Sequence, residues 1–259
     1  MHTTSLPARA RIAVLAGLAV AGVALAACGD ETTTSAAAGE PSVAFVSPVD
    51  GGSYAGSIPL EMAADGVTIE PAGEVRDGAG HFHVIAGHGC LSEGTTIPKD
   101  AQHVHFGKGQ TEAPLYLPPG EHRLCLQVGD GAHAAVGLTD ELTVTVGVQD
   151  DAQWCAVVDE LDELVEDLDL DTVELADAQA ALTSARALAQ QLQDGIAHAG
   201  SAADDAGALL DVFVEMADAV IAASDVEFAR AAVDAIGVDA EDLFDAGSTA
   251  VRKACPGVD

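Results

Sequence analysis

The chain has 259 residues, a length that fits two small domains. It carries 10 basic and 42 acidic side chains, which give a formal charge of -32 at pH 7. Such acidity repels polyanions and anionic lipid surfaces, and it therefore argues against a nucleic acid as a partner.

The N-terminal segment predicts export. Two arginines precede an apolar run from Ile12 to Leu25, which is too short to span a bilayer as a mature helix and is typical of a secretory signal peptide. The run ends in LAAC, which resembles the bacterial lipobox, where cleavage before the cysteine is followed by attachment of lipid. We therefore predict a signal peptide over residues 1–27 and lipidation at Cys28. The alternative is an ordinary signal peptide whose cleavage site happens to precede a cysteine.

A short polar tether and an all-β region follow the predicted cleavage site. Residues 28–41 are small and polar, without hydrophobic periodicity, as in a flexible linker. Residues 42–149 alternate short extended runs with turn-rich pieces, which predicts an antiparallel β-sandwich. The stretch FVSPVDGGSYAGSIPLEMAADGV resembles the first hairpin of immunoglobulin-like modules on bacterial surface proteins, so we expect an immunoglobulin-like fold.

After residue 150 the hydrophobic period changes to that of a helix. One face of the first predicted helix carries apolar residues three and four apart, and the opposite face is acidic. A second amphipathic segment runs from about Thr172 to Gln193, and SAAD at 201–204 and SDVE at 224–227 have the form of capping boxes. A last helix is expected to carry Leu243, Phe244 and Val251. Residues 151–257 thus predict a bundle of four or five helices, and the fold class is α+β in separate domains. The apolar positions of the first helix are Trp154, Val157, Val158, Leu161, Leu164, Val165 and Leu168.

Four cysteines remain after Cys28, and an even number in an exported chain favours disulfides. We predict Cys90 paired with Cys125 and Cys155 paired with Cys255, because each pair then lies within one predicted domain. Free reactive thiols and thiolate metal ligands are the alternatives.

Seven of the nine histidines fall between residues 81 and 133. In a strand, residues two apart point to the same side, so His81 and His83 share a face, as do His103 and His105. If the strands that carry these pairs are neighbours with their apolar faces inward, four imidazoles converge on one exterior patch. His122 and His133 are further candidates for the same patch. Imidazole binds copper(II) and zinc well, so the pattern predicts a site for one transition metal ion, with Glu112 as a candidate carboxylate ligand.

Two other interpretations of the histidines stay open. They are consistent with a structural role, in which imidazoles hydrogen-bond turns and neighbouring strands. Acid-base catalysis without a metal is the third interpretation, although no serine or cysteine lies in a recognisable nucleophile motif. Enzymatic activity is therefore not expected. We expect His88 to be a loop residue near a disulfide and His198 to lie at a helix end or on the surface.

Residues 43–148 resemble the bacterial domain-of-unknown-function family numbered 4399. The motifs that carry the resemblance are GHFHVI, IPKDAQHVHFGKGQTE, LPPGEHRLCLQVGD and the histidine that follows. Phe82 replaces a histidine that is typical of the first motif, and Cys90 and Cys125 are local additions. The resemblance implies that the histidines belong to a domain pattern in which Gln110, Thr111 and Glu112 orient the imidazoles as outer partners.

These observations together predict an exported, lipid-anchored protein at the outer face of the cytoplasmic membrane or in the cell envelope. Its predicted cofactor is one copper or zinc ion, and its predicted partners are the membrane, through the N-terminal lipid, and another envelope protein. The rival from another class is a structural or interaction module of the envelope. Composition and spacing leave the oligomeric state open.

Overall fold

A computed structural model describes residues 39–166, 168, 172–236 and 249–256. The predicted signal peptide, Cys28 and most of the predicted tether lie outside this part of the chain. Within it, strands occupy the N-terminal part and helices the C-terminal part, as the change of hydrophobic period predicts. The strands are β1 Ser42–Ser47, β2 Gly52–Tyr54, β3 Ile58–Asp65, β4 Thr68–Ile69, β5 Ala79–Ala86, β6 His103–His105, β7 Glu112–Leu115, β8 Gly120–Gly129 and β9 Ala135–Val146.

The strands form two sheets that contribute to one apolar core. The smaller sheet has the order β1-β3-β7, and the larger has the order β2-β9-β8-β5-β4, with β6 paired to β5. Most pairs are antiparallel, but β2 runs parallel to β9 and β4 runs parallel to β5. The parallel β2–β9 pair departs from the antiparallel expectation because its members are far apart in the sequence, so no hairpin fixes their direction. Core residues from both sheets include Ile58, Leu60, Met62, Phe82, Val84, Leu124, Leu126 and Val128.

Strand β5 and the second half of β8 are buried on both faces. Phe82 and Val84 point into the apolar core, and the alternate residues His81, His83 and Ile85 point to the other face and are equally buried. Strand β8 repeats this pattern, since its residues between the core positions are also inaccessible. A second layer of chain therefore covers the outer face of the larger sheet over β5 and the second half of β8.

In the described part of the chain, four helices of 11 residues or more follow the strands: α1 Asp151–Val165, α2 Leu175–Asp194, α3 Ala203–Ile221 and α4 Val226–Ile236. A 3-10 helix, Ile196–Ala202, joins α2 to α3. Residues 249–254 are also helical, and the rest of the predicted last helix, including Leu243 and Phe244, lies outside the described residues. Buried Trp154 of α1 and Leu188 of α2 share one apolar cluster with residues of α3.

The helix starts differ from the predicted capping boxes. Asp150 caps α1, where its carboxylate accepts a hydrogen bond from the Gln153 backbone N–H. Asp225, not Ser224, caps α4 by accepting from the Phe228 N–H at 2.8 Å. Helix α3 has Ala202 at its N-cap and no side-chain cap. The preceding 3-10 segment is interrupted at Gly200, and the Gly200 carbonyl oxygen accepts from the Ala203 N–H at the start of α3.

A buried glutamine joins α2 to the strands. Gln191 is fully buried, and its side-chain oxygen accepts from the Gly56 N–H while its amide donates to the carbonyl oxygens of Gly56 and Leu117. On α1, the Glu160 carboxylate accepts from the Ser57 N–H at 3.0 Å. Buried backbone groups need partners, and these two side chains supply them where helices pack on turns of the β region.

Both predicted disulfides are confirmed. Cys90 is bonded to Cys125, and Cys155 is bonded to Cys255, at sequence separations of 35 and 100. The first tethers a loop to strand β8, and the second links helix α1 to the C-terminal end of the described chain. None of the helices among the described residues is long and apolar enough to cross a membrane.

Candidate metal centre

Four histidines come together on the outer face of the larger sheet: His81, His83, His105 and His133. One ring nitrogen of each lies within 4.8 Å of those of the other three. The ring centroids of the pairs within this group are 4.7 to 5.7 Å apart. We call this group the four-histidine cluster.

Strand alternation and strand register bring three of the four histidines together. His81 and His83 are two apart in β5 and therefore point to the same side of the sheet. His105 lies directly opposite His83 in the antiparallel pairing of β5 with β6. Cross-strand partners have neighbouring side chains, so this register alone brings the two rings together, with centroids 5.0 Å apart.

The turn between β8 and β9 brings the fourth histidine, His133, into the cluster. The Asp130 carboxylate oxygen Oδ1 accepts from the backbone N–H groups of Ala132 and Ala134, and the Asp130 carbonyl accepts from that of His133. His133 adopts a φ of 67°, a left-handed conformation that is uncommon for a residue other than glycine. Asp130 thus stabilises the turn that carries the His133 ring into the cluster.

The imidazoles contact one another in two pairs. His83 Nε2 is 3.0 Å from His81 Nε2, and His133 Nε2 is 3.1 Å from His105 Nε2. Zinc–imidazole bonds of about 2.05 Å place neighbouring ligand nitrogens about 3.3 Å apart in a tetrahedron and about 2.9 Å apart in a square plane. The separations within these two pairs lie in this range, and all four ligand nitrogens lie within 4.8 Å of one another, so the cluster could hold one ion after rotation of the rings.

The environment keeps the inner rings neutral. Burial, reinforced by the neighbouring His105 and His133, lowers the pKa of His81 to about 4. Burial and the other cluster histidines lower the pKa of His83 to about 3. The pKa of His105 is also lowered, chiefly by burial and then by His133 and Lys99. A neutral imidazole has a free lone pair, which is the form that binds a metal ion.

The buried rings are incompletely hydrogen-bonded. Nδ1 of His81 and Nδ1 of His83 have no hydrogen-bond partner among the described residues, although both side chains are at most 1% exposed. A buried polar atom without a partner costs free energy, about 1–3 kcal/mol in typical proteins. These rings therefore cost stability that apolar side chains at the same positions would not cost.

Two glycines make room for the rings. A Cβ atom added at Gly129, which lies opposite His81 in β8, would be 2.9 Å from His83 Nε2. A Cβ at Gly107 would overlap the imidazole of His105. Any other residue at either position would have to displace a ring of the cluster.

A long loop covers the histidine face, so the face is not the exterior patch that the sequence predicts. Residues 87–102, which we call the strap, connect β5 to β6 and cross the outer face of the sheet. Ile97 of the strap is 4% exposed, and it reaches the same space beside Gly129 as His83 does. His81 and His83 are therefore inaccessible, His133 is half-buried and His105 is exposed. The cluster is open to solvent on the side of His105 and His133.

The structure brings together some of the predicted ligands and not others. His103 faces the same way as His105, but it lies opposite Ile85, one step of about 7 Å further along β5. Its Nδ1 is 2.7 Å from the Asp100 carboxylate, and its ring is 5.1 Å from that of His88. His133 takes the place that the spacing assigned to His103.

Two other histidines lie outside the cluster. His122 donates its Nε2–H to the Pro118 carbonyl oxygen at 2.8 Å, near the start of β8. His198 lies near the start of α1, where its Nδ1 is 2.8 Å from the Asp151 carboxylate.

The residues expected to orient the imidazoles make their contacts elsewhere. Gln110 accepts from the Lys108 N–H in its own loop, and the Thr111 carbonyl accepts from the Met62 N–H. Glu112 lies in β7, opposite Glu61 in the smaller sheet. Asp130, whose charge acts on His81 and whose turn carries His133, is the residue that motif reasoning missed.

A second group of possible ligands contains Cys90, Cys125 and Glu141. The two cysteines are bonded to each other, so neither offers a thiolate. Glu141 accepts from Arg123 at 2.6 Å and from the Cys90 N–H at 3.2 Å, and these bonds lower its pKa. This group fastens the strap and does not hold a metal in the disulfide form.

Comparison with known proteins relates part of this chain to one family. No curated protein matches the chain significantly. Among solved structures, the endo-beta-1,4-mannanase from Thermotoga petrophila matches 42% of this chain at 14% identity, with a TM-score of 0.27, which is too low to indicate a shared fold. The match spans only 20% of that enzyme's chain. Residues 60–147 match the family described as Domain of unknown function (DUF4399), which is the family that the histidine motifs indicate.

Proposed function

We propose that this protein binds one transition metal ion, copper(II) or zinc, through His81, His83, His105 and His133. The observation that carries the proposal is the convergence of four ring nitrogens within 4.8 Å of one another. Imidazole is a good ligand for both ions, and an all-nitrogen set of four suits either a tetrahedral or a tetragonal ion.

The energetic cost of the cluster supports binding. Burial of His81 and His83 leaves an unpartnered nitrogen on each ring and disfavours their protonation. Selection for stability alone favours apolar residues at such positions, whereas a binding site retains neutral imidazoles at this cost.

Metal titration of the full chain, first stripped with a chelator, tests the proposal. Isothermal titration calorimetry should show one copper(II) or zinc ion bound per chain, and the double variant His105→Ala/His133→Ala should lose this binding. Both residues lie on the open side of the cluster, so their removal leaves the buried rings in place. His122→Ala is the matched control, since its ring lies outside the cluster. Equal affinity in the chain and the double variant would refute the proposal.

A structural role for the same histidines is the second candidate. The distances of 3.0 Å and 3.1 Å between Nε2 atoms support this candidate, because they suit hydrogen bonds between neutral rings. On this hypothesis the domain is a structural or interaction module of the envelope. The double variant would then melt at a lower temperature, and metal affinity would be equally weak before and after substitution.

The setting that we propose for this site is the cell envelope. The signal-like N-terminus and the LAAC motif support export and lipid attachment at Cys28, so the membrane is the proposed anchor and an envelope protein the proposed partner. We further propose that the two sheets form an immunoglobulin-like sandwich and that the helices form a bundle, without enzymatic activity. Mass spectrometry of the mature N-terminus would detect the lipid, and an unmodified Cys28 would refute the anchoring.

A further inference from the structure

The strap, residues 87–102, is attached to the sheet at several points around the four-histidine cluster. Next to Cys90, the Leu91 N–H donates to the Gln127 side-chain oxygen at 2.9 Å. Further along, the N–H groups of Gly94 and Ile97 donate to the carbonyl oxygens of Ala135 and His133, both at 2.8 Å. The strap therefore pairs directly with the backbone of one cluster histidine, and the Ile97 side chain packs beside another.

The disulfide is the covalent fastening of the strap. Cys90 belongs to the strap, whereas Cys125 lies in β8, fully buried on the same face as Gln127. Gln127 is in turn the cross-strand neighbour of His83. The disulfide, the Leu91–Gln127 hydrogen bond and His83 are therefore neighbours on the sheet, with Gln127 directly opposite His83 across the β5–β8 pairing.

Reduction would change this path as well as remove the bond. The Cys125 sulfur lies 3.8 Å from the Gln127 oxygen that accepts from Leu91. In the disulfide this sulfur has no hydrogen, but a thiol there can donate a weak hydrogen bond to that oxygen and compete with the Leu91 N–H. The strap would lose its covalent tether and have its nearest hydrogen bond weakened in the same step.

We propose that the Cys90–Cys125 disulfide is a redox-sensitive fastening that controls how long the four-histidine cluster keeps its metal. This inference rests on the proposed metal binding. In the disulfide form the strap holds His133 and covers His81 and His83, so the ion leaves slowly. In the dithiol form the strap loosens, the ligands are less preorganised, and the ion leaves faster.

The reaction partner is a dithiol reductant. One of its thiolates attacks the sulfur of Cys90, which is the more accessible of the two, and the Cys125 sulfur departs as a thiolate and takes up a proton. The second thiolate of the reductant attacks the mixed disulfide and releases Cys90, which is also protonated. The reductant leaves as a disulfide, and two electrons and two protons have passed to the protein.

The test compares metal release from three full-length chains: the unmodified chain, Cys90→Ser/Cys125→Ser and Cys155→Ser/Cys255→Ser. Each is loaded with copper(II) or zinc, and release to an excess of coloured chelator is followed with time. Release from Cys90→Ser/Cys125→Ser should be faster by about tenfold or more, the scale on which partners of metal ligands act. Cys155→Ser/Cys255→Ser is the matched control, because it removes the other disulfide, and it should release metal at the unmodified rate.

With zinc as the loaded ion, because a dithiol would itself reduce copper(II), a dithiol reductant provides a second measurement that does not depend on the folding of one variant. It should accelerate release from the unmodified chain and from Cys155→Ser/Cys255→Ser, and reoxidation should restore the slow rate. It should have no such effect on Cys90→Ser/Cys125→Ser, which also controls for chelation by the reductant itself. Equal release rates with and without the Cys90–Cys125 bond would overturn the inference and leave the metal site intact. Failure of the unmodified chain to bind metal would overturn both.

Discussion

Acid should destabilise the metal-free protein through its two buried histidines. The pKa of His81 is lowered to about 4 and that of His83 to about 3, from an ordinary value of 6.5. The folded state therefore disfavours protonation of both rings, whereas the unfolded state takes up protons as soon as the pH falls below 6.5. Their contribution to stability is complete above pH 6.5 and is lost progressively as the pH falls towards the folded-state values.

The expected loss in the free energy of unfolding follows from the lowered pKa values of the two rings. At pH 5 the linkage relation gives a loss of about 2 kcal/mol for each ring relative to neutral pH, since one unit of pKa corresponds to about 1.4 kcal/mol. The variant His83→Gln removes one titrating ring and keeps a polar side chain. From pH 7 to pH 5 the unmodified chain should therefore lose about 2 kcal/mol more free energy of unfolding than the variant.

Urea unfolding in the presence of a metal chelator, followed by circular dichroism at both pH values, measures this difference. The many carboxylates of the chain titrate in both proteins, so their effect cancels in the comparison. The reasoning is refuted if the two proteins show the same change in the free energy of unfolding between pH 7 and pH 5. That result would mean that His83 is accessible to protons in the folded state.

Two further substitutions test the packing around the site and the junction of strands and helices. Gly129→Ala should lower metal affinity by about tenfold or more, because its Cβ would be 2.9 Å from His83 Nε2 and would displace that ring; calorimetric titration measures the change. Gln191→Leu should lower the free energy of unfolding by about 3 kcal/mol or more, because it leaves three buried backbone groups without partners; urea unfolding measures the loss.

Each of these substitutions has a matched control in the chain. Gly207→Ala adds a Cβ that meets its nearest neighbour, Ile196, at an ordinary 3.9 Å, so it should leave metal affinity unchanged. Gln193→Leu removes an exposed hydrogen bond to Asp211 and should change stability by no more than about 0.5 kcal/mol. Indistinguishable results for a substitution and its control would contradict the corresponding prediction.

Local patterns in the sequence predicted several elements of the fold correctly. Runs of alternating apolar residues identified β5 and β8, and spacings of three and four identified α1 and α2. These patterns agree with the structure because each depends only on which side of one strand or helix a residue faces. The capping boxes were less reliable, since the residue that caps a helix depends on how the preceding chain enters it.

The sequence by itself determined that His81 and His83 point to one side of their strand and that His103 and His105 point to one side of theirs, because alternation in a strand requires it. It also predicted both disulfides, from the division of the chain into two regions. Tertiary structure decided the membership of the cluster. The register of β5 with β6 sets His105 opposite His83 and moves His103 one step away, and the turn at Asp130 brings in His133. Tertiary structure also placed the strap over the histidine face, and that cover lowers the pKa values of the inner rings. The register of the strands and the position of the strap depend on contacts between segments far apart in the chain, which no local pattern specifies.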